Sequence, residues 1–149
     1  MTSQLNVDTI VDKAGSGGSN VKMANSSTYV ADGGSGTQNT VQGLAKSWLT
    51  YNATGTAALI DSLNVSGITD NGTGDFSFAY SNNFSTANSY VAGGMVAPSS
   101  NSVTTYTLRP YSSASLATSS IRFSMVYNTG SEGVSDYPYG SSTMHGDLA

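Results

Sequence analysis

The eight residues Ile68 to Asp75, ITDNGTGD, constrain the fold of this chain more than any others. Asn71-Gly72 and Thr73-Gly74 tolerate positive φ, so the backbone reverses here at little steric cost. The flanking segments alternate. On the incoming side Leu59, Asp61, Leu63 and Val65 fall on one face and Ile60, Ser62, Asn64 and Ser66 on the other, while Phe76, Phe78 and Tyr80 share a face on the outgoing side. Period two on both arms of a turn predicts a β-hairpin, with Leu59 to Ile68 as one continuous strand.

The same period recurs along the chain. Trp48, Thr50 and Asn52 alternate with Leu49 and Tyr51, and a Gly-containing turn follows at Asn52 to Thr56. SYVAGGMVA reads as a strand whose Gly93-Gly94 pair predicts a bulge or a tight bend. SVTTYTLRP reads as another strand, ending at Pro110. Ile121, Phe123, Met125 and Tyr127 line one face of the cleanest strand of the C-terminal half, and Ser141 to His145 reads as a final edge strand. Thr40 to Lys46 fits either one helical turn or the start of a strand, and Ala114 to Ser119 fits a loop or a brief helical turn. Seven to nine short strands separated by turn signals predict an all-β antiparallel sandwich, jelly-roll or barrel.

Ahead of these strands, residues 1–40 carry no 3.6-residue apolar stripe. QLNVDTIV over residues 4–11 predicts a short strand, followed by Gly-rich polar pieces, so this part reads as an extended N-terminal arm and residues 41–149 as the β-domain. A linker without fixed structure is the competing reading of the arm. Leu5, Val7 and Ile10 are its candidate contacts with a neighbouring subunit.

Charged residues make up only 9% of the chain, five Lys/Arg against nine Asp/Glu, for a net charge of -4, where ordinary domains carry roughly a quarter. An acidic chain without a basic cluster is a poor match for nucleic acid, because phosphate contacts need cations. No stretch reaches the length of apolar residues that a membrane span needs, and the opening lacks the basic and apolar regions of a signal peptide. With no cysteine, neither disulfides nor thiolate metal sites are available. Leu, Ile, Val and Phe are sparse, which favours a thin sandwich or an oligomer.

Catalytic constellations are hard to assemble from these residues. His145 is the only histidine, near the end of a Gly-rich tail, a weak basis for a Ser-His-Asp triad or a metal site. Asp70, Asn71 and Asp75 bring three oxygen-bearing side chains to a Gly-rich loop that fits calcium, but turns recruit Asp and Asn for backbone reasons alone. Asp61 reads as an exposed strand residue, and nothing singles out a carboxylate pair for glycoside hydrolysis. The Gly-rich segments 15–18 and 33–36 lack the Lys and helix of a phosphate loop. Asn-x-Ser/Thr triplets at Asn25, Asn52, Asn64, Asn71 and Asn83 are expected by chance in so Asn- and Ser-rich a chain. No cofactor is implied. Nine Tyr amid Ser, Asn and Gly suit an adaptable recognition surface, with Tyr106, Tyr111, Tyr137 and Tyr139 as candidate glycan contacts; the competing reading plugs each ring into a small core.

Ser47-Trp48, Tyr51-Asn52 with Thr54-Gly55-Thr56, Asn64-Val65-Ser66, Ile68 to Asp75, Phe76, and Ala87-Asn88 with Tyr90 form a pattern. It resembles a recurring module of bacteriophage structural proteins, tail fibre-like or capsid decoration-like, from marine and cyanobacterial phages. The opening SQLNVDTIVDKAGSGG is similar to the start of such appendage proteins. Ala53 and Leu49 depart mildly from the pattern, and the C-terminal tail lies outside it. The resemblance implies a non-enzymatic virion component, a homotrimer made in the host cytoplasm, and carries over no catalytic residue. The length leaves little room for the anchor, shaft and tip of a tail fibre, so a capsid decoration or cement protein bound to the major capsid protein is the first expectation. A short tail fibre or host-recognition adhesin that binds cell-surface glycan is the alternative.

Overall fold

A computed structural model describes residues 27–30, 35–100, 105–111 and 116–149. Leu5, Val7, Ile10 and the strand expected over residues 4–11 lie outside the described residues. The chain divides into two compact units, Met1–Gly43 and Leu44–Ala149. In the first, β1 (Thr28–Val30) pairs antiparallel with β2 (Thr37–Asn39), and the four-residue helix α1 (Thr40–Gly43) follows. Tyr29 Oη donates to Gln38 Oε1 at 3.0 Å across this ladder.

The second unit is all-β and antiparallel. It comprises β3 (Ser47–Asn52), β4 (Ala58–Leu63), β5 (Val65–Gly72), β6 (Asp75–Tyr80), β7 (Val91–Ala97), β8 (Thr105–Pro110), β9 (Ser120–Asn128), β10 (Glu132–Val134) and β11 (Tyr139–His145). One sheet has the order β4-β3-β11-β7. The other runs β10-β9-β6-β5, with β8 also paired to β9. At nine residues, β9 is long enough to pair with β6 through Ser120–Ser124, with β10 through Val126–Asn128, and with β8 through Phe123–Asn128.

The two sheets form a sandwich closed by aromatic rings. Leu49, Tyr51, Val96 and Met144 point inward from the four-stranded sheet, and Phe76, Phe78, Leu108, Ile121, Phe123 and Met125 from the other; all are buried. The Tyr51 ring meets Phe78 at 4.8 Å and Phe76 at 6.4 Å between centroids. Tyr80, Phe84 and Tyr90 form a second cluster, with Phe84 stacked on Tyr90 at 4.2 Å. The expected inward faces of β6 and β9 are found: Phe76, Phe78, Tyr80, Ile121, Phe123 and Met125 are all buried.

Three expectations are corrected. Leu59 to Ile68 is two strands in different sheets, broken at Asn64, whose φ of 57° lies in the left-handed region that Asn tolerates. The Asn64 side chain secures this crossing, accepting from Asn82 N at 2.6 Å and donating to Asn82 O at 3.0 Å. The break, with a bulge between Val65 and Gly67, sets Val65 opposite Tyr80 and Ile68 opposite Phe78. Second, β7 is unbroken, in register with β11 from Val91↔His145 to Ala97↔Tyr139. Gly94 is needed for close packing instead: a Cβ there would lie 2.5 Å from Ser141 O and 2.6 Å from Leu108 Cδ2. Third, Ser141 to His145 is no edge. It belongs to β11, flanked by β3 and β7, and the inward Gly140 leaves room for the Tyr51 ring.

The hairpin turn itself is Thr73–Gly74, between the paired Gly72 and Asp75, with Gly72 at φ 132° and Gly74 at φ 65°. Gly74 docks on the neighbouring strands. Its N–H donates to Asp136 Oδ1 at 2.7 Å and its carbonyl accepts from Met125 N at 2.7 Å. Residues 116–119, the described part of the Ala114 to Ser119 segment, are not helical.

Candidate functional site

Strand alternation gives each sheet an outward face, and the two differ in chemistry. On the five-stranded sheet the polar groups satisfy one another. Arg122 Nε donates to Asp75 Oδ1 at 2.7 Å, Arg122 Nη2 donates to Asp75 Oδ2, and the guanidinium lies 4.0 Å over the Tyr111 ring centroid. Arg109 pairs with Glu132, and Asn71 Nδ2 donates to Ser77 Oγ at 2.8 Å. This face binds its own charges.

The outward face of the four-stranded sheet is apolar and nearly uncharged. Trp48, Thr50 and Asn52 face out from β3, with Tyr139, Ser141, Thr143 and His145 from β11. Val91, Gly93, Met95 and Ala97 face out from β7, while Ile60 and Leu63 are exposed on the edge strand β4. Met95 is 65% exposed, Tyr139 62% and Ile60 62%. A shallow groove of about 450 Å³ runs over Gly93 and Gly94 between Trp48 and Met95, with Thr143 on its floor. A second, of about 210 Å³, lies between Ile60, Met95 and Tyr139. Glycine at position 93 opens the first groove, because any side chain there would project into it.

Asp61 and His145 are the carboxylate and imidazole on these strands, and Asp61 Oδ1 accepts from its neighbour Ser62 N at 2.8 Å. Four strands ~4.8 Å apart, each of about six residues at ~3.3 Å, make a face of roughly 400 Å².

No family model, curated protein or solved structure matches this chain.

The residues singled out in the sequence scatter. Tyr137 is buried against Tyr106, edge to face at 5.1 Å, and burial raises its hydroxyl pKa. Tyr111 is capped by Arg122. Of the four candidate glycan tyrosines, only Tyr139 is strongly exposed, and it lies on the other sheet. They do not form one surface. Asp75 is bound by Arg122, and Asp70 Oδ1 accepts from Gly72 N at 2.9 Å, the backbone role that turn chemistry assigns to Asp. Among the described residues no group of three His, Asp or Glu side chains is arranged to hold a metal ion.

Sequence reasoning missed the apolar face. The alternation of Trp48, Thr50 and Asn52 against Leu49 and Tyr51 carried the signal, since it sets the lone Trp opposite two core residues. Reading Gly93-Gly94 as a bulge and β11 as an edge hid the strands that complete the surface.

Proposed function

We propose that the chain is a non-enzymatic, homotrimeric structural protein of a bacteriophage virion, a β-sandwich that decorates or cements the capsid, and that copies associate through the outward face of the four-stranded sheet. The observation that carries this reading is the contrast between the two faces. A chain of net charge -4 that packs against its own copies brings like charges together wherever carboxylates line the contact, which costs energy. The four-stranded face keeps that cost low, since its outward side chains are Trp48, Val91, Met95, Tyr139, Asn52, His145 and short hydroxyl residues, with Asp61 on the edge strand as its one carboxylate. The other face spends its charges internally. The resemblance around ITDNGTGD supplies the virion setting.

At roughly 400 Å², the face is about half of the ~800 Å² per partner that a standard stable interface buries. In a cyclic trimer each subunit also contributes a second patch to its other neighbour, so the total burial per subunit exceeds this one face. Mass measurement of the full chain in solution tests this: three times 15.2 kDa is expected, with loss of association but not of folding in Trp48→Ser/Met95→Ser. A monomer at all concentrations defeats the trimer. Imaging of particles carrying the protein tests its place, with regular density on the capsid lattice expected and density confined to the tail favouring the alternative.

That alternative, a glycan-binding adhesin, draws on one specific feature. Trp48 and Tyr139 offer aromatic faces beside the hydroxyls of Thr50, Ser141 and Thr143, and aromatic rings beside small hydroxyls suit a neutral sugar. Binding of the full chain to immobilised host polysaccharide that is lost in Trp48→Ala would favour it.

A further inference from the structure

Asn71-Gly72 is the only Asn-Gly dipeptide in the sequence. The structure surrounds it with the groups that an intramolecular reaction of asparagine needs. We propose that this strand end is a self-modification site, at which Asn71 closes to a succinimide with Gly72 and opens to aspartate or isoaspartate.

The nucleophile is the Gly72 amide nitrogen, and the electrophile is Asn71 Cγ one residue before it. Attack requires loss of the amide proton. Gly72 N–H already donates to Asp70 Oδ1 at 2.9 Å, so a carboxylate sits on the proton that must leave. The departing group is Asn71 Nδ2, which lies 2.8 Å from Ser77 Oγ, placing a hydroxyl next to the nitrogen that must be protonated. Steric conditions also agree. The ladder between β5 and β6 shifts register between Asp70 and Gly72, leaving Asn71 without a cross-strand partner. Asn71 and Gly72 are exposed, and the space where a Cβ of Gly72 would point is open to 4 Å.

In the first step the Gly72 N to Asn71 Cγ bond forms, Asp70 takes the amide proton, and the Cγ to Nδ2 bond breaks. Nδ2 leaves as ammonia, protonated through the Ser77 hydroxyl, which regains its proton by way of solvent from Asp70. Water then adds to one of the two ring carbonyls, giving aspartate or isoaspartate. The sum is one water consumed, one ammonium ion released, its extra proton coming from the new carboxyl group, and one negative charge gained beside Asp70 and Asp75. The isoaspartate product also adds a backbone carbon just before the turn that seats Gly74 on Met125 and Asp136.

The test is peptide mapping by mass spectrometry of the full chain after incubation at neutral pH, with isotopically labelled water to mark ring opening. Asn71 should convert ahead of every other asparagine. Asp70→Asn should slow the conversion several-fold in the folded chain, and that difference should vanish in denaturing urea, where the carboxylate is no longer held on Gly72. Ser77→Ala, on the leaving-group side, gives an independent arm if Asp70→Asn does not fold, and should also slow conversion. Asn71 remaining an amide while other asparagines convert overturns the proposal, as do unchanged rates in the folded variants.

Discussion

Replacing Gly140 by Ala puts one methyl group where the Tyr51 ring lies. The added Cβ would stand 2.3 Å from Tyr51 Cζ and 2.6 Å from Cε1. Carbon atoms in contact prefer about 3.5–4.0 Å, so the ring or the strand must move by more than about 1 Å. Tyr51 has little freedom to do so. It is fully buried and packed on Phe78 and Phe76. Overpacking of a filled core costs about 1–3 kcal/mol, and a contact this short belongs at the upper end. Gly140 is not held at positive φ, so Ala recovers about 0.4–1 kcal/mol through the unfolded chain, leaving a net loss of about 2 kcal/mol. Urea titration of the full chain, read through the change in midpoint at constant slope, measures it.

A double-mutant cycle then assigns the cost. Tyr51→Leu alone destabilises by creating a cavity, by about 2 kcal/mol. In that background Gly140→Ala should be neutral or slightly stabilising, because the ring is gone. If Gly140→Ala costs as much without the tyrosine ring as with it, the aromatic cover of Gly140 is not what excludes the methyl group, and the reasoning fails. Tyr127 covers Gly133 in the same way, with a virtual Cβ 2.5 Å from Cζ, so two cross-strand glycines are each shielded by a tyrosine.

Burial raises the hydroxyl pKa of Tyr51 and Tyr80 well above the ordinary 10.0. A raised folded pKa contributes stability that is complete below the unfolded value and is lost as pH climbs above it; stability should therefore fall above pH 10, and Tyr51→Phe should remove up to about 1.4 kcal/mol per pH unit of that slope, measured by urea titration across pH 9 to about 12. At neutral pH, Tyr51→Phe should be neutral or stabilising, because the Tyr51 hydroxyl is buried without a hydrogen-bond partner. Asn64→Ala should cost about 1–3 kcal/mol, since it forces a β-carbon residue without local hydrogen bonds into the left-handed region, and Asn64→Gly should cost less, both by thermal melting. Asp75→Ala leaves Arg122 unpaired over Tyr111 and should lower stability slightly, because the Arg122 side chain is 34% exposed and screened by solvent, with the loss shrinking in high salt.

The strands that the sequence made legible are those with an unbroken period of two and one large apolar face, β6 and β9 above all. Their partners were harder, for specific reasons. Asn64 passes as one more polar residue in an alternating run, and only its left-handed φ and its bonds to Asn82 turn one strand into two. Gly94 looks like a breaker because sequence does not reveal the Leu108 side chain lying over it, and the Tyr51 ring over Gly140 is equally unwritten there. A glycine that makes room for a neighbour and a glycine that bends the chain are written with the same letter. The outward face was hidden by the same misreadings, since it exists only when β3, β11 and β7 lie side by side in register.

The contrast between the two faces follows from where the ion pairs sit. Two arginines are spent on the outward side of the five-stranded sheet, each against one carboxylate. That sheet also holds the ITDNGTGD hairpin, whose tip is fixed by Asp136 on Gly74 N–H. The polar motif is thus fastened by internal pairs on one side of the sandwich, while Trp48, Met95 and Tyr139 are carried on the other, out of reach of those charges. A motif that serves to seat a turn does not have to be the surface that binds. If that division holds, Asp75→Ala should lower stability and leave the mass in solution unchanged, whereas Trp48→Ser/Met95→Ser should change the mass and leave the melting temperature close to the parent value. Crossed effects, with association lost through Asp75 or folding lost through Trp48 and Met95, would show that the two faces are not separate in function.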